Sequence, residues 1–138
     1  MPNFSGSFLG RANAQAMMAV KDVPGHELGL VEISGPQTTA DALWSGATVS
    51  YWGIADLVSG SGTQRGYFIN HHPNGDIDQG TFECKVATEG GSVTLDGTWK
   101  FSGGTGRLAG LSGAGTFKGR MTSPSEVETS WEGAYQLG

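Results

Sequence analysis

The sequence predicts an all-β protein, a closed antiparallel up-and-down β-barrel of about eight strands. From Ser92 onward, apolar and polar residues alternate, as in strands with one buried and one exposed face. The 138 residues include 24 Gly, which lie with Pro, Asn and Ser at turn positions. Short links join consecutive segments and favour a meander, which avoids exposed edges by closing into a barrel. Residues 1–138 are therefore predicted to form one domain.

Alternating segments between turn signals predict nine strands. They are residues 3–10, 15–23, 27–34, 47–59, 63–72, 76–88, 92–102, 113–122 and 126–137. Residues 12–20 also have a helix-forming composition, but Ala16, Met18 and Val20 alternate, so a strand is favoured. Only residues 39–43 are expected to form a single helical turn.

Composition excludes several classes of function. The net charge is −5 and Lys and Arg do not cluster, so nucleic-acid binding is not expected. No apolar run reaches the roughly 20 residues of a membrane helix, and the N-terminal residues do not resemble a signal peptide. We expect a soluble cytoplasmic protein without a membrane partner. The single cysteine, Cys84, lies in an alternating run and is expected to be buried and unreactive rather than a reactive thiol.

The two halves of the chain differ in their apolar faces. Strands after Ser92 have one apolar face, whereas residues 27–34, 47–59 and 63–72 are apolar on both faces. A barrel wall needs only one apolar face, so the second must pack against something else. We predict a homo-oligomer, a trimer or dimer, that uses the outside of the first-half strands. The alternative is a loop or terminal segment folded over that face.

Residues 103–117, with the sequence GGTGRLAGLSGAGTF, resemble a C-terminal turn motif of the allene oxide cyclase and dirigent superfamily of small β-barrels. The resemblance implies a hydrophobic barrel cavity, often in a dimer or trimer, where a reactive small molecule cyclises or couples without a cofactor. It transfers no active-site residue, because the glycines of the motif serve turns. The same glycines do not fit a dinucleotide or phosphate loop, since their spacing differs and no βαβ unit surrounds them.

The richest polar cluster surrounds Asn74-Gly75, which predicts a two-residue hairpin turn. With that turn, His71 faces Asp78, and Tyr67 and Arg65 point into the lumen. The carboxylate would orient the imidazole as a general acid or base, while Tyr67 or Arg65 stabilises a developing oxyanion. The alternative is a salt bridge without a catalytic role. A change of one residue in the turn would move all these side chains to the other face.

Two further polar features leave alternatives open. Glu32 lies in an apolar strand, either on the outer wall or in the lumen, where burial would raise the pKa of its carboxyl and make it a proton donor or acceptor. His71, His72 and the nearby aspartates could suggest a metal site. Adjacent strand residues point to opposite faces, however, so no metal is expected.

Inward-facing aromatic residues predict a wall for a small apolar or aromatic ligand. The candidates are Phe82, Trp99, Phe117, Trp131 and Tyr135. Three functions stay open at this point: a cofactor-free cyclase or isomerase, a non-catalytic ligand-binding barrel of the lipocalin kind, and a structural barrel with a filled core. A cavity with unpaired ionisable groups favours the first, an apolar cavity the second, and a closely packed interior the third.

Overall fold

Eight antiparallel strands follow one another around the molecule, and each pairs with its neighbours in sequence. The computed structural model describes residues 3–138, with strands β1 (Asn3–Ala19), β2 (His26–Thr39), β3 (Thr48–Val58), β4 (Ser61–His71), β5 (Ile77–Glu89), β6 (Ser92–Gly104), β7 (Ser112–Ser123) and β8 (Glu126–Gln136). β8 also pairs with β1, which closes the sheet. The predicted closed up-and-down barrel is confirmed.

The first strand is longer than predicted. Residues 3–10 and 15–23 were expected to form two strands, but one strand runs from Asn3 to Ala19. Its register against β2 shifts between Ala12 and Ala14. A β-bulge of this kind bends a strand without ending it. The barrel therefore has eight strands rather than nine.

The two ends of the barrel differ in their connections. At the hairpin end lie the links β1–β2, β3–β4, β5–β6 and β7–β8, and at the loop end lie residues 40–47, 72–76 and 105–111. The helical turn predicted at residues 39–43 lies about two residues later, because β2 extends to Thr39 and the amide of Ser45 donates to the carbonyl oxygen of Asp41 at 2.9 Å. Gly106 in the third loop has a φ of +58°, which favours glycine, and a Cβ there would collide with the Asp76 carboxylate.

The interior is filled by aromatic rings that pack against glycines. Phe4 packs against Trp44, Trp131 and Tyr135, with ring centroids 4.7–4.9 Å apart. The indole of Trp99 lies over the glycine backbone of β7 and β8. A Cβ added at Gly115 would lie 2.5 Å from Cζ2 of Trp99, and one at Gly133 would lie 2.6 Å from the same atom. Glycine is therefore required where the large ring crosses the wall.

The outer face of β1–β4 is apolar and exposed. The sequence predicts this, because these strands carry apolar residues on both of their faces. We call it the outer apolar patch, formed by Met18, Leu28, Leu30, Trp52, Ile54, Val58 and Tyr67. Met18, Leu30 and Tyr67 retain 72%, 60% and 64% of their full exposure. Within residues 3–138 no segment covers this patch, so the alternative of a folded-over segment is wrong for the described chain.

The contact between Trp99 and the glycines generates a stability prediction. Gly133→Ala is expected to lower the free energy of unfolding by about 1–3 kcal/mol, because the new methyl group would collide with the Ala114 carbonyl oxygen and with the Trp99 ring. Urea denaturation would measure the change. Ser130→Ala, on the exposed face of the same strand, is the control and should change stability by less than about 0.5 kcal/mol. Equal stability of the two variants would contradict this packing account.

Candidate ligand-binding lumen

A cavity of about 90 Å³ lies inside the barrel. Side chains from all eight strands and from the first loop line it. They are Phe4, Phe8, Gln37, Trp44, Val49, Tyr51, Gln64, Phe68, Asn70, Phe82, Leu95, Trp99, Phe101, Phe117, Thr129 and Trp131. The interior is therefore not closely packed throughout, and aromatic rings form most of the cavity wall.

Solvent reaches the cavity from the hairpin end. Gln64 and Leu95 lie three residues inside their strands at that end and are only partly buried. Trp44, from the loop 40–47, lies across the loop end and is 1% exposed. Its ring packs against Phe101 at 5.6 Å and against Tyr135 at 4.8 Å between centroids. The lumen is thus a pocket closed at one end.

A buried carboxylate holds this closure in place. Asp78 is 0% exposed and accepts three side-chain hydrogen bonds. Trp44 Nε1 donates to Oδ2 at 2.8 Å, and Asn70 Nδ2 donates to Oδ1 at 2.9 Å. His72 Nε2 lies 2.6 Å from Oδ2. Asp78 therefore connects the loop 40–47, β4 and the β4–β5 turn through a fully partnered buried charge.

The imidazole of His72 faces oxygen acceptors on both sides. Its Nδ1 lies 2.9 Å from the carbonyl oxygen of Leu43, and its Nε2 faces Asp78. Two oxygen neighbours favour the doubly protonated ring, in which both nitrogens donate. The hydrogen bond to Asp78 raises the pKa of His72 above its ordinary value, against the opposing effect of burial.

The polar network continues along one wall of the lumen. Gln37 Nε2 donates to Asn70 Oδ1 at 3.0 Å, and Trp131 Nε1 donates to Gln37 Oε1 at 2.9 Å. Asn70 and Gln37 line the cavity, whereas Asp78 and His72 lie behind them. The charged pair is thus separated from the cavity by two neutral amides.

The predicted register of the β4–β5 hairpin is wrong by one residue. The amide of His72 donates to the Asp76 carbonyl at 2.9 Å, and the amide of Gly75 donates to the His72 carbonyl at 3.0 Å. The turn therefore contains three residues, Pro73 to Gly75, with Gly75 at a φ of +92°. Asn70, not His71, lies opposite Asp78.

This shift moves most of the predicted catalytic residues to the outside. His71, Tyr67 and Arg65 lie on the exposed face of β4, because side chains alternate with a period of two. The expected pair of His71 and Asp78 does not form. Asp78 does lie inside, as predicted, but its imidazole partner is His72.

Glu32 also lies on the outer wall. Its Oε2 accepts a hydrogen bond from Trp52 Nε1 at 2.7 Å across neighbouring strands of the outer apolar patch. The alternative that placed this carboxyl in the lumen is therefore wrong.

Four of the five predicted ligand-wall residues line the cavity. They are Phe82, Trp99, Phe117 and Trp131. Tyr135 is buried but lies outside the cavity wall, where its hydroxyl donates to Asp41 Oδ2 at 3.1 Å. The alternation of β5 to β8 was sufficient to identify these inward faces.

Sequence reasoning missed Trp44 and Tyr51. Trp44 belongs to a loop, where no periodicity indicates direction. Tyr51 alternates with Val49 and Gly53 on the inner face of β3, but the outer residues of that strand are equally apolar, which hides the signal.

Cys84 is buried as expected, and burial raises the pKa of its thiol to about 11.

A second histidine cluster lies away from the lumen. His26 places Nδ1 2.6 Å from Asp22 Oδ1 and Nε2 2.6 Å from Asp56 Oδ1. The hydrogen bond to Asp22, followed by that to Asp56, raises the pKa of His26. The cluster joins the β1–β2 hairpin to β3.

In the part of the chain that the structure describes, no three His, Cys, Asp or Glu side chains are placed to hold a metal ion.

The fold and the cavity together define a small closed β-barrel with an internal pocket. No protein-family model matches the sequence, and no match was found among curated proteins. The resemblance of residues 103–117 to the allene oxide cyclase and dirigent barrels therefore stays a prediction. Residues 3–138 contain no helix with the length and apolar character that a membrane span requires.

The buried pair of His72 and Asp78 predicts a dependence of stability on pH. A raised pKa in the folded state means that the stabilisation is complete below the ordinary histidine pKa, about 6.5, and is lost as pH rises through the raised value. The free energy of unfolding should therefore fall with rising pH more steeply in the wild type than in His72→Gln. Chemical denaturation at a series of pH values would measure both slopes.

His71→Gln is the matched control, because His71 is the exposed neighbour of His72. This variant should keep the wild-type slope. His26 contributes a slope of the same sign in every variant, so the difference between wild type and His72→Gln isolates the buried pair. A common slope for wild type and His72→Gln would contradict the ion pair.

Proposed function

We propose that this barrel binds a small apolar or aromatic molecule in its lumen. The observation that carries the proposal is the aromatic-lined cavity, closed at the loop end by Trp44 and reached by solvent from the hairpin end. Eight-stranded barrels have room for one small ligand. The likeness of residues 103–117 to barrels with a hydrophobic cavity supports the same function.

Non-catalytic binding is the function that the site supports best. Among the described residues no carboxylate or imidazole lines the cavity, and the Asp78–His72 pair behind the wall has its hydrogen bonds satisfied within the protein. A cofactor-free cyclase or isomerase is the second candidate. It is favoured by the Tyr51 hydroxyl, which lines the cavity and could polarise a carbonyl group of a confined reactant.

Filling the lumen should abolish binding. Leu95→Trp places a larger ring in the half-buried part of the cavity wall, and we expect loss of saturable fluorobenzene binding, measured by fluorine NMR titration. Leu9→Trp, on the exposed outer face of β1, makes the same chemical change outside the cavity and should bind as the wild type does. Unchanged binding in the folded Leu95→Trp variant, or no binding to the wild type, would refute the proposal.

We further propose that a second copy of the chain covers the outer apolar patch. The seven patch residues are large apolar side chains that keep 38–72% of their full exposure. Glu32 on β2 and Arg65 on β4 place charges of both signs on this face, with β3 between them. A two-fold axis that passes between these two residues would bring Glu32 of each copy to Arg65 of the other, as a self-complementary interface requires.

A charge in the centre of the patch should dissociate this dimer. Leu30→Glu is expected to convert a dimer to a monomer, because the buried carboxylate would have no partner. Light scattering coupled to size-exclusion chromatography would measure the mass. The control is Thr98→Glu on the exposed face of β6, which should leave the mass unchanged. A monomeric wild type would rule out this interface.

A further inference from the structure

Three polar side chains of the cavity wall have no hydrogen-bond partner within residues 3–138. They are the Tyr51 hydroxyl, the Thr129 hydroxyl and the Gln64 amide. Tyr51 is 8% and Thr129 is 6% exposed. No fully enclosed side-chain polar atom of the described chain lacks a partner. The polar atoms of these three residues therefore reach the free space of the cavity, where a bound molecule can hydrogen-bond with them.

The two hydroxyls belong to different parts of the wall. Thr129 lies on β8, opposite Phe8 of β1, whereas Tyr51 lies on β3, and β1 and β2 separate those two strands. The ring of Tyr51 packs against Phe8 and against Phe82 of β5, with ring centroids 6.1 and 5.3 Å away. A molecule in the lumen therefore meets two separate hydroxyls in a wall that is mostly aromatic.

The part of the cavity wall formed by residues 3–138 carries no formal charge. Among these lining residues there is no Asp, Glu, Lys, Arg or His. Burial raises the pKa of Tyr51, so its hydroxyl keeps its proton and can donate. Asp78, the carboxylate that lies behind the cavity wall, already accepts three hydrogen bonds. A charged ligand would lose its hydration without gaining an opposite charge, which costs far more than transfer of a neutral group.

The size of the cavity limits the ligand to about one ring. An engineered apolar cavity of about 150 Å³ in another protein binds benzene. The lumen of this barrel measures about 90 Å³ and opens towards solvent at the hairpin end. Because this volume is smaller than that of the benzene-binding cavity, the ligand can be no larger than one six-membered ring, part of which would project towards the opening.

We propose that the lumen selects an uncharged single-ring molecule with a hydroxyl or carbonyl oxygen, which hydrogen-bonds with the Tyr51 or the Thr129 hydroxyl. This inference rests on the proposed binding function and adds the chemical class of the ligand. The ring packs against the aromatic wall, while the oxygen contacts one of the two hydroxyls. Gln64, whose side chain lies over Gly53 near the hairpin end, provides a further neutral contact.

Three single-ring molecules test the class of ligand. Fluorobenzene has no polar group, para-fluorophenol adds a neutral hydroxyl, and para-fluorobenzoate carries a charge at pH 7. Fluorine NMR titration of the wild type should show para-fluorophenol binding about tenfold more tightly than fluorobenzene, a difference of about 1.4 kcal/mol. It should show para-fluorobenzoate binding at least tenfold more weakly than para-fluorophenol.

Removal of single hydroxyls tests the residues. Tyr51→Phe combined with Thr129→Val should reduce the preference for para-fluorophenol over fluorobenzene to about twofold or less, and the two single variants show which hydroxyl the oxygen contacts. The preference is measured within each variant, so a change in the affinity for fluorobenzene itself does not enter the comparison. Tyr67→Phe and Thr98→Val delete the same groups from the outer surface and should keep the tenfold preference. Denaturation midpoints would verify that each variant is folded.

The outcomes separate this inference from the proposed function. If fluorobenzene binds but para-fluorophenol shows no preference, or keeps its preference in the folded double variant, the inference is overturned and lumen binding stands. Equal affinity for para-fluorobenzoate and para-fluorophenol also overturns it. If none of the three molecules binds, both the inference and the proposed function are overturned.

Discussion

The carboxylate of Asp78 is the group on which the loop end of the barrel depends. An ionised side chain without contact with water is unstable unless donors surround it, and here the donors come from separate segments. Trp44 belongs to a loop, His72 to a turn, and Asn70 to a strand, so one acceptor fixes the positions of all three. Because Trp44 is held across the barrel, the lumen is closed at one end. The charge that fixes this closure stays outside the cavity wall, which leaves the cavity neutral.

The size of the cavity follows from how rings and glycines are distributed. Large aromatic side chains fill most of an eight-stranded barrel, and Trp99 fits only because Gly115 and Gly133 remove side chains from the neighbouring wall. The remaining space is small and mostly apolar. The wall of the first four strands is apolar on its outer side as well, so the same strands serve both the cavity and the outer apolar patch.

The sequence was sufficient for the architecture because alternation and turn residues are local signals. It was sufficient for the wall formed by Phe82, Trp99, Phe117 and Trp131 for the same reason. The pairing of β4 with β5 depends on whether the turn holds two or three residues, and Asn74-Gly75 fits both. The prediction of a two-residue turn placed the side chain of His71 inside the barrel, where the structure has His72. The position of Trp44 depends on tertiary contacts with Asp78 and Phe101, which no local pattern encodes.

The four tryptophans divide between the two surfaces of the barrel wall. Trp44, Trp99 and Trp131 line the cavity, whereas Trp52 lies in the outer apolar patch, hydrogen-bonded to Glu32. Indole emission depends on the polarity around the ring, so the chain carries intrinsic fluorescent reporters on both sides. With Trp52 replaced by Phe, the emission would come from the interior alone. That variant would report occupancy of the lumen, and the part of the wild-type emission that it lacks would report association of chains at the patch, without any attached dye.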